Sequence, residues 1–284
     1  MNGEQNQVLR IWEGSAPYWE KHRAIIEKMF APLTSALVDE AHIGPGQKVL
    51  DVAGGTGEPS LTIARVVEPG GSVMYTDLVA GMVHAAEQEA QRRGLANIQF
   101  RQCPADSLPF PDNAFDVAVS RLGAMFFPDA VAAVCEMLRL VVPGAYVSLA
   151  VWAARDVNPF FRVVTDVMDR YVESPPEDPD APGAFRFAPT GKLATVLERA
   201  GATQIRERTV KFSIQVPVPL EQFWTLRVEM SDTLREKVAR LTSEHLPAVK
   251  GEVEQAAREF VVRGTLGFPA QALIVSGRKL SSAG

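Results

Sequence analysis

The stretch from Val49 to Gly57, with Asp77 downstream, constrains this chain more than any other. Val49-Leu50-Asp51-Val52-Ala53 is short, apolar and ends in glycines, the pattern of a parallel strand buried on both faces. Gly54-Gly55-Thr56-Gly57 follows with no spacer. Glycine admits positive φ and lets a ligand approach the backbone with no Cβ in between. Glu58-Pro59 then predicts the opening of a helix, because proline suits a first helical turn and a carboxylate suits its positive end. A second strand is expected over Ser72–Thr76, with Asp77 at its end. An acid at that point can accept both hydroxyls of a ribose. Together these pieces make the nucleotide-binding corner of a doubly wound α/β sheet.

The glycines alone leave the nucleotide open. A dinucleotide fingerprint places a third glycine where Ser60 stands, which weakens NAD. The wider set is more specific. Val49–Gly57, Asp77-Leu78 and the run Cys103-Pro104-Ala105-Asp106-Ser107-Leu108-Pro109-Phe110-Pro111-Asp112-Asn113-Ala114-Phe115-Asp116 together resemble the class I S-adenosylmethionine-dependent methyltransferases. Ala53–Gly57 and Leu108–Asn113 resemble their ubiquinone/menaquinone biosynthesis C-methyltransferase branch (methyltransferase type 11). Gly123, Phe127 and Asp129 match a further stretch of that family, and Arg139–Gly144 resembles its turn before the fifth strand. Ala145 replaces a second glycine there, and Arg121 stands where the branch carries an aromatic. The resemblance runs from Gln47 to Val151 and is looser elsewhere.

The resemblance implies a Rossmann-like fold: a doubly wound, seven-stranded, mostly parallel sheet with helical lid and cap insertions. Its last strand would lie antiparallel beside the fifth. It implies S-adenosyl-L-methionine as cofactor and S-adenosyl-L-homocysteine as product. Ala53, Gly54, Gly55, Thr56 and Gly57 would then border the methionine moiety. Asp77 and Leu78 would meet the ribose, and Met82, Ala105 and Asp106 the adenine. Ser120 and Arg121 would close the site at the end of the fourth strand. On the residues alone, Met82 suits plain core, and Asp106 suits a helix cap before Ser107-Leu108. A guanidinium near a sulfonium needs a partner. Asp129 is one choice for Arg121, and an anionic substrate group is another.

Composition removes other classes. The 284 residues are 46% hydrophobic and 22% charged, ordinary for a globular chain. The formal charge is −5, and no basic run is longer than a pair such as Arg92-Arg93, which argues against nucleic acid. Cys103 and Cys135 are too few for a disulfide framework. The amino terminus lacks a signal-like apolar core, and the apolar run Leu138–Trp152 is broken by Pro143-Gly144. The expectation is a cytoplasmic protein with no membrane span. Histidines and cysteines lack ligand spacing, so no metal is expected. No hydrolase elbow or Walker lysine is present.

Three regions of one domain are expected. Residues 1–46 form a helical lid, hinged at Gly14-Ser15-Ala16-Pro17, with Tyr18, Trp19 and His22 on one side of its second piece. His22 is the candidate base. Residues 47–152 form the cofactor core, with further strands at Asn97–Gln102, Phe115–Ser120 and Ala145–Trp152. Residues 153–284 supply substrate-cap helices and the last strands, Gln204–Val216 and Thr265–Arg278. They include helices at Asn158–Tyr171, Thr190–Ala200 and Leu220–Phe260, and a proline loop at Glu173–Gly183. Trp152, Phe160, Phe161, Phe185, Phe187, Phe223 and Trp224 fall where a substrate cover would sit. They point to methylation of a small apolar or aromatic molecule. A non-catalytic S-adenosylmethionine-binding module and, more weakly, an NAD-dependent oxidoreductase are the alternatives.

Overall fold

A computed structural model describes residues 3–173 and 178–281 of the chain. Residues 174–177 of the proline loop lie outside the described residues. β1 (Lys48–Val52) is buried at every residue after Lys48, as its run of apolar side chains requires. It pairs in parallel with β2 (Ser72–Asp77) on one side and β4 (Phe115–Arg121) on the other. β3 (Ile98–Gln102) extends the sheet beyond β2, and β5 (Val141–Trp152) extends it beyond β4. β8 (Thr265–Arg278) then lies antiparallel between β5 and β6 (Thr203–Val216). The order is β3-β2-β1-β4-β5-β8-β6, with the two-residue β7 (Val261–Val262) folded onto β8. This is the expected seven-stranded sheet with an inserted antiparallel last strand, plus one short addition. Strand order reverses between β1 and β4, and the crevice at such a reversal is where open α/β sheets hold ligands.

The helices form from apolar stripes that the sheet covers. α3 (Ser60–Val66) and α4 (Ala80–Arg92) follow β1 and β2, and both contact β2 and β3. α5 (Ala130–Leu140) begins at Asp129, whose side chain accepts from the Ala132 amide at 2.9 Å. α2 (Arg23–Glu40) lies across β4, β5, β8 and β6. α6 (Pro159–Met168) buries Phe160, Val163, Val164, Val167 and Met168, a full helical stripe. α7 (Lys192–Arg199) packs on α5 and β6. α8 (Leu220–Glu229), α9 (Asp232–Arg240) and α10 (His245–Ala257) divide the segment expected as mostly helical up to Phe260. Among the described residues, no helix is long and apolar enough to cross a membrane.

Two local expectations are corrected. The break at Gly14–Pro17 does not occur: α1 (Gly3–Lys21) runs straight through it. Pro17 removes one helical donor, but Trp12, Ala16 and Trp19 pack with Val79 and Met82, and this tertiary seam holds the helix together. The helix after the glycine turn starts at Ser60, with Pro59 at its cap position instead of its first turn.

The cap is fastened to the sheet by Asn158, which is fully buried. Its Nδ2 donates to the carbonyls of Ala153, Ala154 and Gln271 at 3.0–3.2 Å, and its Oδ1 accepts from the Gln271 amide at 2.9 Å. Asn158→Ala would leave the Gln271 amide and the Ala153 carbonyl without these partners in a dry interior, while the Gln271 and Ala154 carbonyls keep the amides of Ala153 and Val157. The expected loss is on the order of 1–3 kcal/mol, read from urea unfolding.

Candidate functional site

The glycine turn is forced by close neighbours. A Cβ on Gly54 would fall 2.4 Å from Tyr75 Cε2 and 2.8 Å from Asp51 Oδ2, so no larger residue fits. Gly57 has φ +120 and is packed by Leu61. Gly55 has φ +58, yet nothing stands within 4 Å of where its Cβ would be. That contrast marks the open side of the turn.

Asp77 ties the turn to β2. Its Oδ2 accepts from the Gly55 amide at 3.0 Å and its Oδ1 from the Val79 amide at 2.9 Å. Burial pushes its carboxyl up to about 6, and the amides of Val79, Gly55 and Leu78 pull it back. Asp51 lies deeper and is fully buried. Its Oδ2 accepts from the Ser60 hydroxyl at 2.6 Å, its Oδ1 has no partner, and burial pushes it up to about 7. Tyr75 closes the far side, donating to the Gly55 carbonyl at 2.5 Å.

Around this turn opens a cleft of about 1170 Å³, counting space open to solvent. It brings together Ala53, Gly54, Gly55, Thr56, Asp77, Leu78, Met82, Ala105, Asp106 and Arg121 of the expected set. Gly57, Ser120 and His22 do not line it. Gly57 serves the turn itself. Ser120 is fully buried, and a Cβ on Gly123 would come within 2.7 Å of its hydroxyl. The His22 ring is turned to Glu229 of α8, with Nε2 and Oε2 2.5 Å apart, so it has no reach into the cleft. No helix follows Asp106, which rules out a capping role; it accepts from the Gln5 side chain at 2.5 Å. Asp129 caps α5 and is not the partner of Arg121.

The aromatic assignment also changes. Trp152, Phe160, Phe161, Phe185 and Phe223 meet one another and Phe30 edge to face, and Phe212 and Phe268 stack near-parallel on Trp152 and Phe223, forming core between cap and sheet. Neither these five nor Phe187 and Trp224 line the cleft. Its aromatic wall is Trp12 and Trp19 of α1, Phe30 of α2, and Phe126 and Phe127 after β4. Trp12 meets both Trp19 and Phe126 edge to face. The sequence reading passed over Phe126 and Phe127 as site residues, and with them Arg23, Glu27 and Glu58. The seven-residue spacing of Trp12 and Trp19, two turns on one helix face, was the available signal.

Residues 23–169 match the ubiE/COQ5 methyltransferase family. The chain belongs to this family. An uncharacterized protein of Mycobacterium tuberculosis is 40% identical over 126 residues, 44% of each chain. The chain thus spans less than half the length of such relatives. A ubiquinone/menaquinone biosynthesis C-methyltransferase of Cupriavidus metallidurans is 30% identical over 178 residues, covering 59% of this chain and 72% of that one. Among solved structures, the YcgJ protein from Bacillus subtilis superposes with TM-score 0.56 at 19% identity, covering 88% of this chain and 98% of its own. It shares the fold. Membership in this family sets the dinucleotide reading aside.

Asp51 lies against the glycine turn, and its burial has a signed consequence for stability. Asp51 ionises near 3.8 when exposed and near 7 when folded. Below 3.8 it is neutral in both states and opposes nothing. As pH rises through 7, the folded state comes to bear a buried charge on the order of 4 kcal/mol. Stability from this group is therefore lost on going up in pH. Asp51→Asn is expected to flatten the fall of urea-derived stability between these two pH values. Identical slopes in both proteins would show that Asp51 is not the group responsible.

Proposed function

We propose that the protein is an S-adenosylmethionine-dependent methyltransferase acting on a small apolar or aromatic molecule. The observation that carries this reading is the Asp77 carboxylate beside the open face of Gly55 in one cleft. Asp77 takes backbone amides on both oxygens, and a carboxylate's further lone-pair capacity is left for a ribose hydroxyl. Family membership, and a relative named as a C-methyltransferase, support the same reading.

The residues present fit this cofactor. Gly54, Gly55 and Thr56 offer backbone room for the methionine moiety. Leu78, Met82, Ala105 and Asp106 form the wall for the adenine, with Asp106 available to its exocyclic amine. When bound, the cofactor supplies a methyl group already activated toward displacement. The chain's own contribution is positioning and exclusion of water, which account for much of the rate in such a transfer. Gln5, Val8, Trp12 and Trp19 place α1 over the cleft, so this helix serves as its cover. Trp19 Nε1 donates to the Met230 carbonyl at 3.2 Å, and Arg235 donates to Ser15 Oγ at 2.7 Å. Both contacts fasten the cover to the cap helices. An acceptor with an apolar or aromatic body suits the wall of Trp12, Trp19, Phe30 and Phe126.

Asp77 accepts from ribose more strongly when ionised, because a charged acceptor makes the stronger hydrogen bond. Affinity for S-adenosylhomocysteine, measured by calorimetry, should rise with pH up to about 6 and then level off. Asp77→Asn should bind more weakly and lose that dependence. A pH-independent affinity in the unaltered protein would remove Asp77 from the ribose. Deleting residues 1–22 should keep the sheet's circular dichroism and weaken binding about tenfold, roughly 1.4 kcal/mol. Unchanged affinity would show that α1 covers nothing the ligand touches.

A further inference from the structure

The aromatic wall after β4 has little structure of its own. β4 ends at Arg121 and α5 begins at Ala130, and between them lies one short 3-10 turn, Ala124–Phe126. The turn uses the carbonyls of Gly123 and Ala124, which accept from the amides of Phe126 and Phe127 at 2.9 and 3.2 Å. It leaves the carbonyls of Met125, Phe127 and Pro128 without donors of its own. Phe126 and Phe127, which line the cleft, are carried on this stretch. Such a backbone keeps one shape only where another part of the chain supplies the missing donors.

The donors come from one segment of the cap, residues 178–188. The Gly183 amide donates to the Met125 carbonyl at 3.0 Å. Arg186 Nη1 donates to the Phe127 carbonyl at 2.5 Å, and its Nη2 reaches the Pro128 carbonyl at 3.5 Å. A guanidinium is a rigid planar fork that can fix two neighbouring acceptors at once, unlike a flexible ammonium. Burial disfavours its charge, and Asp180, Glu4, Asp129 and Asp178 offset that cost. The segment is itself anchored. Lys192 of α7 donates to the Pro179 carbonyl and pairs with Asp180, both at 2.7 Å. The Phe185 ring meets Phe161 of α6 edge to face. Gly183 and Arg186 do not line the cleft, so they act on its wall from behind. Phe126 also meets Trp12 of the cover, with 4.9 Å between ring centroids, so the placing of this stretch sets the gap between wall and cover.

We propose that Arg186 is a positioning residue for the methyl acceptor, holding Phe126 and Phe127 at the distance from α1 that an apolar acceptor fills. This rests on the methyltransferase reading. The segment that carries Arg186 lies beyond the residues that match the family, 23–169. The wall inside the matched part is therefore shaped by a segment outside it. Changes in residues 178–188 retune the acceptor and leave the cofactor alone.

The test uses N-phenyl-1-naphthylamine, an uncharged apolar probe that brightens in dry surroundings, with the full chain saturated in S-adenosylhomocysteine. The unaltered protein should bind it. Arg186→Met keeps the apolar stem and loses the fork, and it should bind the probe about tenfold more weakly, since a wall that must be ordered on binding costs affinity. Arg186→Gln, too short to reach both carbonyls, should do the same, and Arg186→Lys should restore most of the loss. S-adenosylhomocysteine affinity by calorimetry and the urea midpoint should not move in any of the three. Phe126→Ala should also weaken the probe, and adding Arg186→Met to it should cost less than Arg186→Met does alone, because both act through one wall. Absence of probe binding, equal probe affinity in the unaltered protein and the Met and Gln variants, or no recovery in Arg186→Lys would overturn the proposal. So would additive losses with Phe126→Ala, or a fall in S-adenosylhomocysteine affinity or urea midpoint in step with the probe, which would make Arg186 a support of the fold at large. Failure of S-adenosylhomocysteine to bind the unaltered protein would instead sink the methyltransferase reading itself.

Discussion

The hydrogen bond from the Gly55 amide to Asp77 joins the ends of two neighbouring strands, and the cleft takes its shape from it. With β1 and β2 in parallel register, Asp51 lies opposite Tyr75 and Val52 opposite Thr76. The glycine turn then comes down onto the Asp77 carboxylate. Tyr75 fixes the same turn from beneath through the Gly55 carbonyl. Two acids so close are costly when both are ionised, because burial opposes each charge. Backbone donors offset the cost at Asp77. Asp51 has only Ser60, and so stays the more easily protonated of the two.

A second network carries this site outward to the helices. Glu89 is 2% exposed yet receives Arg23, Arg92 and Arg93, which hold its carboxyl down at about 2 despite the burial. Arg93 continues to Glu27 and, more weakly, to Glu58. The side chains of α2 and α4 therefore meet through charge at the rim of the cleft. Removing one member would leave others buried and unpaired, which is where such pairs are most sensitive.

The sheet was legible in the sequence because its signals are local. Apolar runs with glycine ends marked β1 and β2, and Asp77 stood in the register that a parallel pair demands. What was not legible depends on which groups meet across space. Pro17 is a strong local helix breaker, yet packing of Trp12, Ala16 and Trp19 on Val79 and Met82 overrides it. The spacing of His22 and Trp19 reads as one helix side, but His22 lies in the turn between α1 and α2 with its ring drawn to Glu229, over two hundred residues on, which no spacing rule reveals. The cap aromatics have a composition suited either to a core or to a pocket. Only the fold shows that they pack between cap and sheet while the rings of α1, α2 and the segment after β4 face the cleft. Arg121 reads in the sequence as a charge needing a partner, and its neutral partners are a hydroxyl and a carbonyl from two other parts of the chain.

The place of β8 in the sheet bears on how this chain is made. β5 ends at Trp152, but its outer edge is covered only by Tyr146–Trp152 pairing with Ala272–Arg278. More than a hundred residues of cap and β6 emerge from the ribosome in between. During that interval β5 presents an unpaired apolar edge, the kind of surface on which nascent chains adhere to one another. β6 emerges earlier than β8 and has no pairing partner in the sheet until β8 slides between it and β5. The nucleotide-binding half, β1 to β5, depends on contacts nearer in sequence and is free to form first. The arrival of β8 is therefore the step that closes the sheet, and a chaperone holding the β5 edge would meet its substrate in the window before it.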